Sequence, residues 1–402
     1  MVSTPLVTGP LRRIRSADRR RQLTAAAAEL FAARGYDAVG VEEVAAAVGV
    51  TGPSVYRHFG DKQALLAEVV LTGLADLEAR SRSALAAPIQ HRTARLLDEL
   101  TDMAVQRPPA AVVWRWTGVH LDASVQREVA RRAHTVLSSW AGAVRVDRPT
   151  LGEAEAELLC WAVLSVLGSV SVHRIRIAAG RARQLLHAAG QRVLAVTPQL
   201  TGAGVTVPEP LPGVGSRREQ ILAAAARLFE ERGYHAVGVD DIGAAVGIAG
   251  PSVYRHFPSK QSVLVAVCQR AAERLAIGAA DALRAGGSAG PQEVVRHLVD
   301  SYVSALLVAP DLRVGISTDR AAVTGDDRAQ LRRLQREYVA HWVGAVRAVH
   351  PKLGTPDASV LVHAGLTVAN DLARTRSVVG RPGLPEELVA LVLAVVDVPA
   401  VP

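Results

Sequence analysis

The sequence predicts an all-α chain built from two tandem copies of one helical unit. Three observations carry that prediction. Apolar residues recur at the period of an α-helix, residues 20–66 recur at 218–264 without a gap, and no useful stretch alternates apolar with polar residues as a half-buried strand does. The 402 residues, 49% hydrophobic and 21% charged, are long enough for two or three domains and apolar enough to fold.

The repeat is specific. FAARGYDAVGVEEVAAAVGVTGPSVYRHFGDKQ from Phe31 matches FEERGYHAVGVDDIGAAVGIAGPSVYRHFPSKQ from Phe229 at an offset of 198, with about two-thirds of positions identical. A weaker echo at an offset of 202 pairs Trp140 to Arg145 with Trp342 to Arg347, and Trp161 to Val166 with His363 to Val368, so the whole unit is doubled. The expected layout is a basic arm at 1–15, a head at 16–66, a helical body at 67–196, a linker at 197–215, a second head at 216–264 and a second body at 265–397. Four prolines and four glycines interrupt any regular period between Thr197 and Ser216. As an extended chain this linker reaches roughly 60 Å at most, enough to set the heads side by side.

In order along each head, Leu23, Ala26, Ala27, Leu30 and Phe31 fall on one face of a first helix, and Ile221, Ala224, Ala225, Leu228 and Phe229 repeat the pattern. Ser16 and Ser216 suit the N-cap, and Gly35 and Gly233 suit the helix end. A short helix carrying Val44, Ala45 and Val48 follows, then a turn at Gly49, then a second short helix opening at Thr51. Gly49 tolerates positive φ and lets two helices cross steeply, which makes a helix-turn-helix. Thr51 is expected to cap the second of these helices. Gly52 and Pro53 in its first turn leave its end slim enough for a major groove. Val55 and Phe59 should pack inward, while Tyr56, Arg57 and His58 offer donors to phosphate oxygens. Asp61 is expected to cap the next helix, whose free amides with Lys62 form a second phosphate contact. The bodies read as further long helices broken at Pro88, Pro108, Pro149, Pro291, Pro310 and Pro351.

The phrase AAAVGVTGPSVYRHFGDKQALL from Ala45 resembles the DNA-binding head of the TetR family of bacterial transcriptional regulators, position by position. The resemblance implies two tandem TetR-like units, each a three-helix DNA-binding head with a helical ligand-binding and dimerisation body. It implies base contacts at Thr51, Gly52, Pro53 and Ser54, and phosphate contacts at Tyr56, His58 and Lys62. The counterparts are Ala249, Gly250, Pro251 and Ser252 for bases, and Tyr254, His256 and Lys260 for phosphates. Gly40 and Gly238 stand where members usually place Thr or Ser, so a side-chain cap is missing. Ala249 for Thr51 removes one hydroxyl, so the operator should be a near-palindrome whose half-sites differ there.

The net charge of +8, nearly all from arginine, favours a polyanionic partner, here double-stranded DNA. Arg19 and Arg20, continuing the arm with Arg12, Arg13, Arg15 and Arg21, and their counterparts Arg217 and Arg218, are candidate phosphate contacts. Family members pair through their last two helices, here near Thr150–Arg176 and Arg181–Val196, matched by Pro356–Arg376 and Leu384–Val396. These suit an intramolecular pseudo-dimer, with a homodimer of chains as the alternative.

Candidate effector-pocket residues combine apolar bulk with a few polar groups. They are Trp114, Arg115, Trp116, His120, Trp161 and His173 in the first body, and His297, Tyr302, Trp342, His363, Asn370 and Arg374 in the second. The composition, and a resemblance to two-headed family members that repress lipid-import operons, imply an apolar or lipid-like effector and a repressor.

An enzyme is the weaker rival. No GxxxxGK[ST], GxSxG or HExxH occurs, Gly202 and Gly204 lack the rest of a dinucleotide fingerprint, and twelve histidines show no metal-ligand spacing. No cofactor or metal is expected. A nucleoid-type protein binding DNA without preference is the nearer alternative. Cys160 and Cys268 form no disulfide framework, and the longest uncharged apolar run, Leu158 to Val172, falls short of the roughly 20 residues of a membrane span. A cytoplasmic protein without a membrane partner is expected.

Overall fold

The structure, a computed structural model, describes residues 16–106, 121–171, 175, 177–198, 215–287, 289–317 and 322–398. Among them every regular element is helical. The first unit contains α1 (Ser16–Arg34), α2 (Val41–Ala47), α3 (Gly52–Tyr56), α4 (Lys62–Leu85), α5 (Arg92–Gln106), α6 (Ala123–Asp147), α7 (Glu153–Gly168) and α8 (Ala179–Ala195). The second contains α9 (Arg217–Arg232), α10 (Val239–Ala245), α11 (Gly250–Val253), α12 (Lys260–Gly286), α13 (Pro291–Val308), α14 (Pro310–Ser317), α15 (Gly325–Val349), α16 (Thr355–Leu372), α17 (Arg376–Val379) and α18 (Leu384–Val396). The basic arm and nearly all of the linker lie outside the described residues.

Each head has its own small core. Leu23, Ala27 and Phe31 of α1 pack with Val44, Val55, Phe59 and Leu66, and Ile221, Ala225 and Phe229 of α9 do the same with Ile242, Val253, Phe257 and Leu264. The predicted helix ends hold: Gly35 and Gly233 adopt φ of 89° and 81°, and Ser216 accepts from the Glu219 amide at 3.3 Å. Ser16 is instead the first residue of α1 itself.

The two bodies share one core. α7 packs on α16, and α8 packs on α16 and α18, so Leu158, Leu159, Val166, Leu186 and Val193 join one apolar cluster with Val362, Val368, Leu388, Leu391 and Val395. Polar ties cross the same seam. Arg181 pairs with Asp357 at 2.7 Å, and Arg192 donates to the Ala394 and Val395 carbonyls at 2.7 and 2.8 Å, capping the end of α18. The stretch Glu153–Ser171 is long and apolar enough to cross a membrane by length and composition, beyond what the run from Leu158 suggested. Here 61% of it is buried against the rest of the fold.

Trp140 and Trp342, in register in the repeat, are both core residues, at 3% and 0% exposure. The Trp140 indole donates to the Ser81 hydroxyl at 3.0 Å, whereas the Trp342 indole nitrogen finds no acceptor among the described residues. The buried Glu387 carboxylate at the start of α18 is held by Arg381 through two bonds of 2.8 and 2.6 Å. Removing one member of such a pair strands the other charge in the core. Arg381→Met is therefore expected to cost about 3–5 kcal/mol in urea unfolding, and Arg381→Met with Glu387→Leu to recover most of that loss.

Candidate nucleic-acid interface

The helix-turn-helix is built from the turn outward. Gly49 and Gly247 both take φ of 69°, and the Val50 and Ile248 amides bond back to the Ala45 and Gly243 carbonyls at 2.9 and 3.0 Å, turning the chain sharply between the two short helices. Gly52 and Gly250 come next, and both are buried. A Cβ at Gly250 would lie 3.0 Å from the Asp240 Cα and closer still to its carboxylate, and one at Gly52 would lie 3.4 Å from the Glu42 carboxylate. These glycines let α3 approach α2 and α11 approach α10.

Around them, Thr51, Pro53, Ala249 and Pro251 are exposed, and Ser54 and Ser252 are half-buried. Thr51 occupies the N-cap position without a side-chain cap bond, which leaves its hydroxyl unspent by the helix and corrects the expected role. Val55 and Phe59 are buried as expected, and their burial turns Tyr56 and Tyr254 outward, 50% and 53% exposed on the same end of each head. His58 and His256 are half-buried beside them.

Lys62 and Lys260 open α4 and α12. Their ammonium groups lie over the Tyr36 and Tyr234 rings, at 4.1 and 4.4 Å, and Lys260 also donates to the His235 carbonyl at 3.4 Å. Burial, with Asp37 and Asp61 nearby, pushes the Tyr36 phenol up to about 12, so it stays a neutral platform. Asp61 caps α4 through the Ala64 amide at 2.7 Å, and Ser259 caps α12. At Gly40 and Gly238 only the reciprocal half of a capping box is present. Glu43 accepts from the Gly40 amide at 2.8 Å and Asp241 from the Gly238 amide at 2.6 Å. The Gly40 amide, with Arg34, holds the Glu43 carboxyl below the usual carboxylate range.

The four candidate arginines of the first helices each hydrogen-bond within their own head, Arg19 and Arg20 from half-buried and Arg217 and Arg218 from exposed positions. Arg19 donates to the Val48 carbonyl and Arg217 to the Val246 carbonyl, 3.1 and 3.0 Å, at the ends of α2 and α10. Arg20 and Arg218 lie over the Phe59 and Phe257 rings, at 4.5 and 4.0 Å, and donate to the His58 and His256 carbonyls at 2.7 and 2.8 Å. Arg20 also pairs with Glu68 at 2.6 Å. Each first helix thus grips both helices of its helix-turn-helix. Without DNA, their guanidinium groups are engaged within the head. The two heads approach each other at equivalent turns, where the Asp37 carboxylate lies 3.9 Å from the His235 ring.

Of the effector candidates, Trp114, Arg115, Trp116, His120 and His173 lie outside the described residues. In the second body the structure brings Tyr302, Trp342 and Asn370 together, with Tyr338 joining them. The Tyr302 hydroxyl donates to Asn370 Oδ1 at 2.7 Å, and the Tyr302, Tyr338 and Trp342 rings pack at centroid distances of 5.9 to 6.3 Å. His363 lies on α16, where burial drives its pKa down to about 4 and keeps it neutral; His297 and Trp161 are half-buried. The groove of about 530 Å³ between α4 and α6 contains none of the candidates. It is lined by polar groups such as Arg82, Arg131 and the Glu78–Arg132 pair.

Residues 23–69 and 221–267 each match the family model described as bacterial regulatory proteins, tetR family. The chain is 46% identical over 68 residues, 17% of its length and 31% of the relative's, to the transcriptional activator FasR of Mycolicibacterium smegmatis. It is 48% identical over 52 residues, 13% of its length and 26% of the relative's, to the transcriptional repressor KstR2 of Rhodococcus jostii. The match therefore spans less than a third of either relative. Among solved structures it is similar to the TetR-family regulator PfmR of Thermus thermophilus, with a TM-score of 0.39, 24% identity, and coverage of 43% of this chain and 97% of that one.

These arginines separate two roles that a binding assay alone confuses. Arg20→Gln and Arg218→Gln are each expected to destabilise their head by about 1–2 kcal/mol in the absence of DNA, through the lost ring and carbonyl contacts. Hydrogen exchange of the free protein measures this. Unchanged exchange combined with weaker DNA binding would instead identify these arginines as phosphate contacts.

Proposed function

We propose that the chain, whose residues 23–69 and 221–267 each match the model of the tetR family of bacterial regulatory proteins, is a sequence-specific DNA-binding transcriptional regulator. In this reading one polypeptide serves as a pseudo-dimer on a near-palindromic operator. The observation that carries it is the pair of equivalent exposed ends, Thr51, Pro53 and Tyr56 on one head and Ala249, Pro251 and Tyr254 on the other, mounted on bodies that share a single core. Thr51, Pro53 and Ser54, with Ala249, Pro251 and Ser252, would face base edges. Tyr56, His58 and Lys62, with Tyr254, His256 and Lys260, would hold the flanking phosphates. The layout of arm, head, body and linker inferred from the sequence belongs to this proposal.

The protein would act in the cytoplasm on double-stranded DNA and answer to a small effector. The Tyr302, Tyr338 and Trp342 cluster favours the second body as the receptor and an apolar or lipid-like molecule as the ligand, since the buried Tyr302 and Trp342 rings and the half-buried Tyr338 ring offer mostly apolar surface with few polar groups. Repression is the simplest mode for a chain whose effector would change the spacing of its heads. KstR2 is named a repressor and FasR an activator.

Sequencing the duplexes retained by the purified protein tests the reading directly. The selected sequence is expected to outcompete random duplex by about a thousandfold at fixed salt; less than about tenfold preference would identify a non-specific nucleoid protein instead. On that duplex, Tyr56→Phe with Tyr254→Phe is expected to weaken binding to all sequences alike, by about fivefold per lost hydrogen bond. Thr51→Ala should change preference in one half-site only. Sedimentation of the free protein at micromolar concentration is expected to give the mass of one chain, and twice that mass would replace the pseudo-dimer with a dimer of chains.

A further inference from the structure

The heads meet at a pair of equivalent positions. Asp37 and His235 correspond at the 198-residue offset of the repeat, and the Asp37 carboxylate lies 3.9 Å from the His235 ring. Where equivalent residues of two related units touch, the contact lies on the twofold that relates them. On a palindromic duplex the same axis passes through the centre of the operator. The distance from this contact to each recognition helix therefore sets the separation of half-sites that the pair of heads can read.

Each side of the contact is fixed to its own head and to its own candidate phosphate clamp. Tyr36, beside Asp37, packs edge-on against Phe31 of the head core at 5.3 Å, and Tyr234 packs in the same way against Phe229 at 5.4 Å. Two residues after the contact, Val39 and Val237 are each 1% exposed in the same cores. Both turns are thus anchored on either side of the residue that meets the other head.

The Lys62 and Lys260 ammonium groups lie over those same tyrosine rings, and the His235 ring packs edge-on against Tyr234 at 5.2 Å. A continuous line of contacts and chain bonds, Lys62, Tyr36, Asp37, His235, Tyr234 and Lys260, runs from one clamp to the other without passing through the bodies. An exposed pair of this kind contributes little between separate molecules. Here the shared core of the bodies already confines the heads, so closing the pair is an intramolecular step at high effective concentration. A carboxylate facing an imidazole is attractive, whereas two carboxylates at this distance repel.

We propose that the Asp37–His235 contact is a spacing determinant: it joins the two heads directly and fixes the half-site separation that the chain accepts. Charge at these two positions then selects among operators whose half-sites are identical. The proposal rests on the reading of the chain as a DNA-binding regulator with two heads on one operator, and its first test uses no DNA.

Spin labels on Glu29→Cys and Arg227→Cys, equivalent exposed positions of α1 and α9, report the distance between the heads of the full chain by electron spin resonance. The native Cys160 and Cys268 are buried and stay unlabelled. His235→Asp is expected to lengthen and broaden that distance. Asp37→His combined with His235→Asp is expected to restore it, because the swap returns unlike partners to the contact. On the duplex selected as above, inserting one base pair between the half-sites moves them about 3.4 Å apart with a rotation of about 35°. The unaltered chain is expected to lose at least about tenfold in affinity for that duplex. His235→Asp should reduce this discrimination about threefold to fivefold, with base preference inside each half-site unchanged, and the swap should restore it. Unchanged head distance or unchanged spacing discrimination in His235→Asp, or a swap that restores neither, overturns the proposal. An unaltered chain that selects no duplex overturns the regulator reading instead, and the label distances alone then decide whether the contact joins the heads.

Discussion

Everything the heads can do is set by the apolar seam between α7, α8, α16 and α18. These helices bury Leu158, Leu186, Val362, Leu391 and their neighbours in one cluster, so neither body has a complete core without the other. Burial of this kind is non-directional, and on its own it tolerates several relative positions of two helix pairs. Direction comes from the polar ties at its edge. Arg192 caps the last carbonyls of α18, and Arg181 meets Asp357 at the start of α16. In the first unit the corresponding carbonyls of α8, those of Leu194 and Val196, are already satisfied by Arg148 of the same unit. The second unit has His350 at that place, bonded to the Val396 carbonyl, and takes its arginine from the first.

Within each head the governing interaction is smaller. Two adjacent arginines on the first helix reach the ends of the next two helices, so the angle between α2 and α3, and between α10 and α11, is held by three-way contact and not by the short helices themselves. Helices of four to seven residues are not stable alone. They persist because their ends are capped from outside and their inner faces share a core with α1 or α9. A reading end is thereby freed of structural duty: Thr51 does not cap, and Tyr56 and Tyr254 have no place in the core.

The fold was legible because its signals are local and doubled. Helical periodicity named the long helices, and the repeat confirmed each assignment by a second sample of the same pattern at Phe31 and Phe229. What the sequence concealed was the destination of long side chains. Arg19 and Arg20 sit in a basic run, and a basic run next to a helix-turn-helix reads as a phosphate contact. That they bend back onto Val48, Phe59 and His58 depends on neighbours 29 to 39 positions away. The packing of Gly52 and Gly250 against Glu42 and Asp240 was hidden for a related reason, since a glycine that slims a helix end and one that admits a partner helix look the same in one dimension. The Tyr302, Trp342 and Asn370 grouping was found by residue type alone, while Tyr338, which completes it, carried no distinguishing signal.

The differences between the copies follow where each position points. Positions that face inward within a head, Leu23 and Ile221, Val55 and Val253, Phe59 and Phe257, remain apolar, because both heads need the same core. Positions that face the other copy or the body have diverged in charge. Asp37 and His235 are equivalent in the repeat and lie opposite each other between the heads. In a homodimer a residue at such a place meets its own duplicate, so Asp37 would face a second carboxylate and be repelled. Joining the copies in one polypeptide removes that restriction, since each side of the pseudo-twofold can be altered separately. The imidazole opposite Asp37 is a substitution that a chain encoding a single unit could not have placed on one side only.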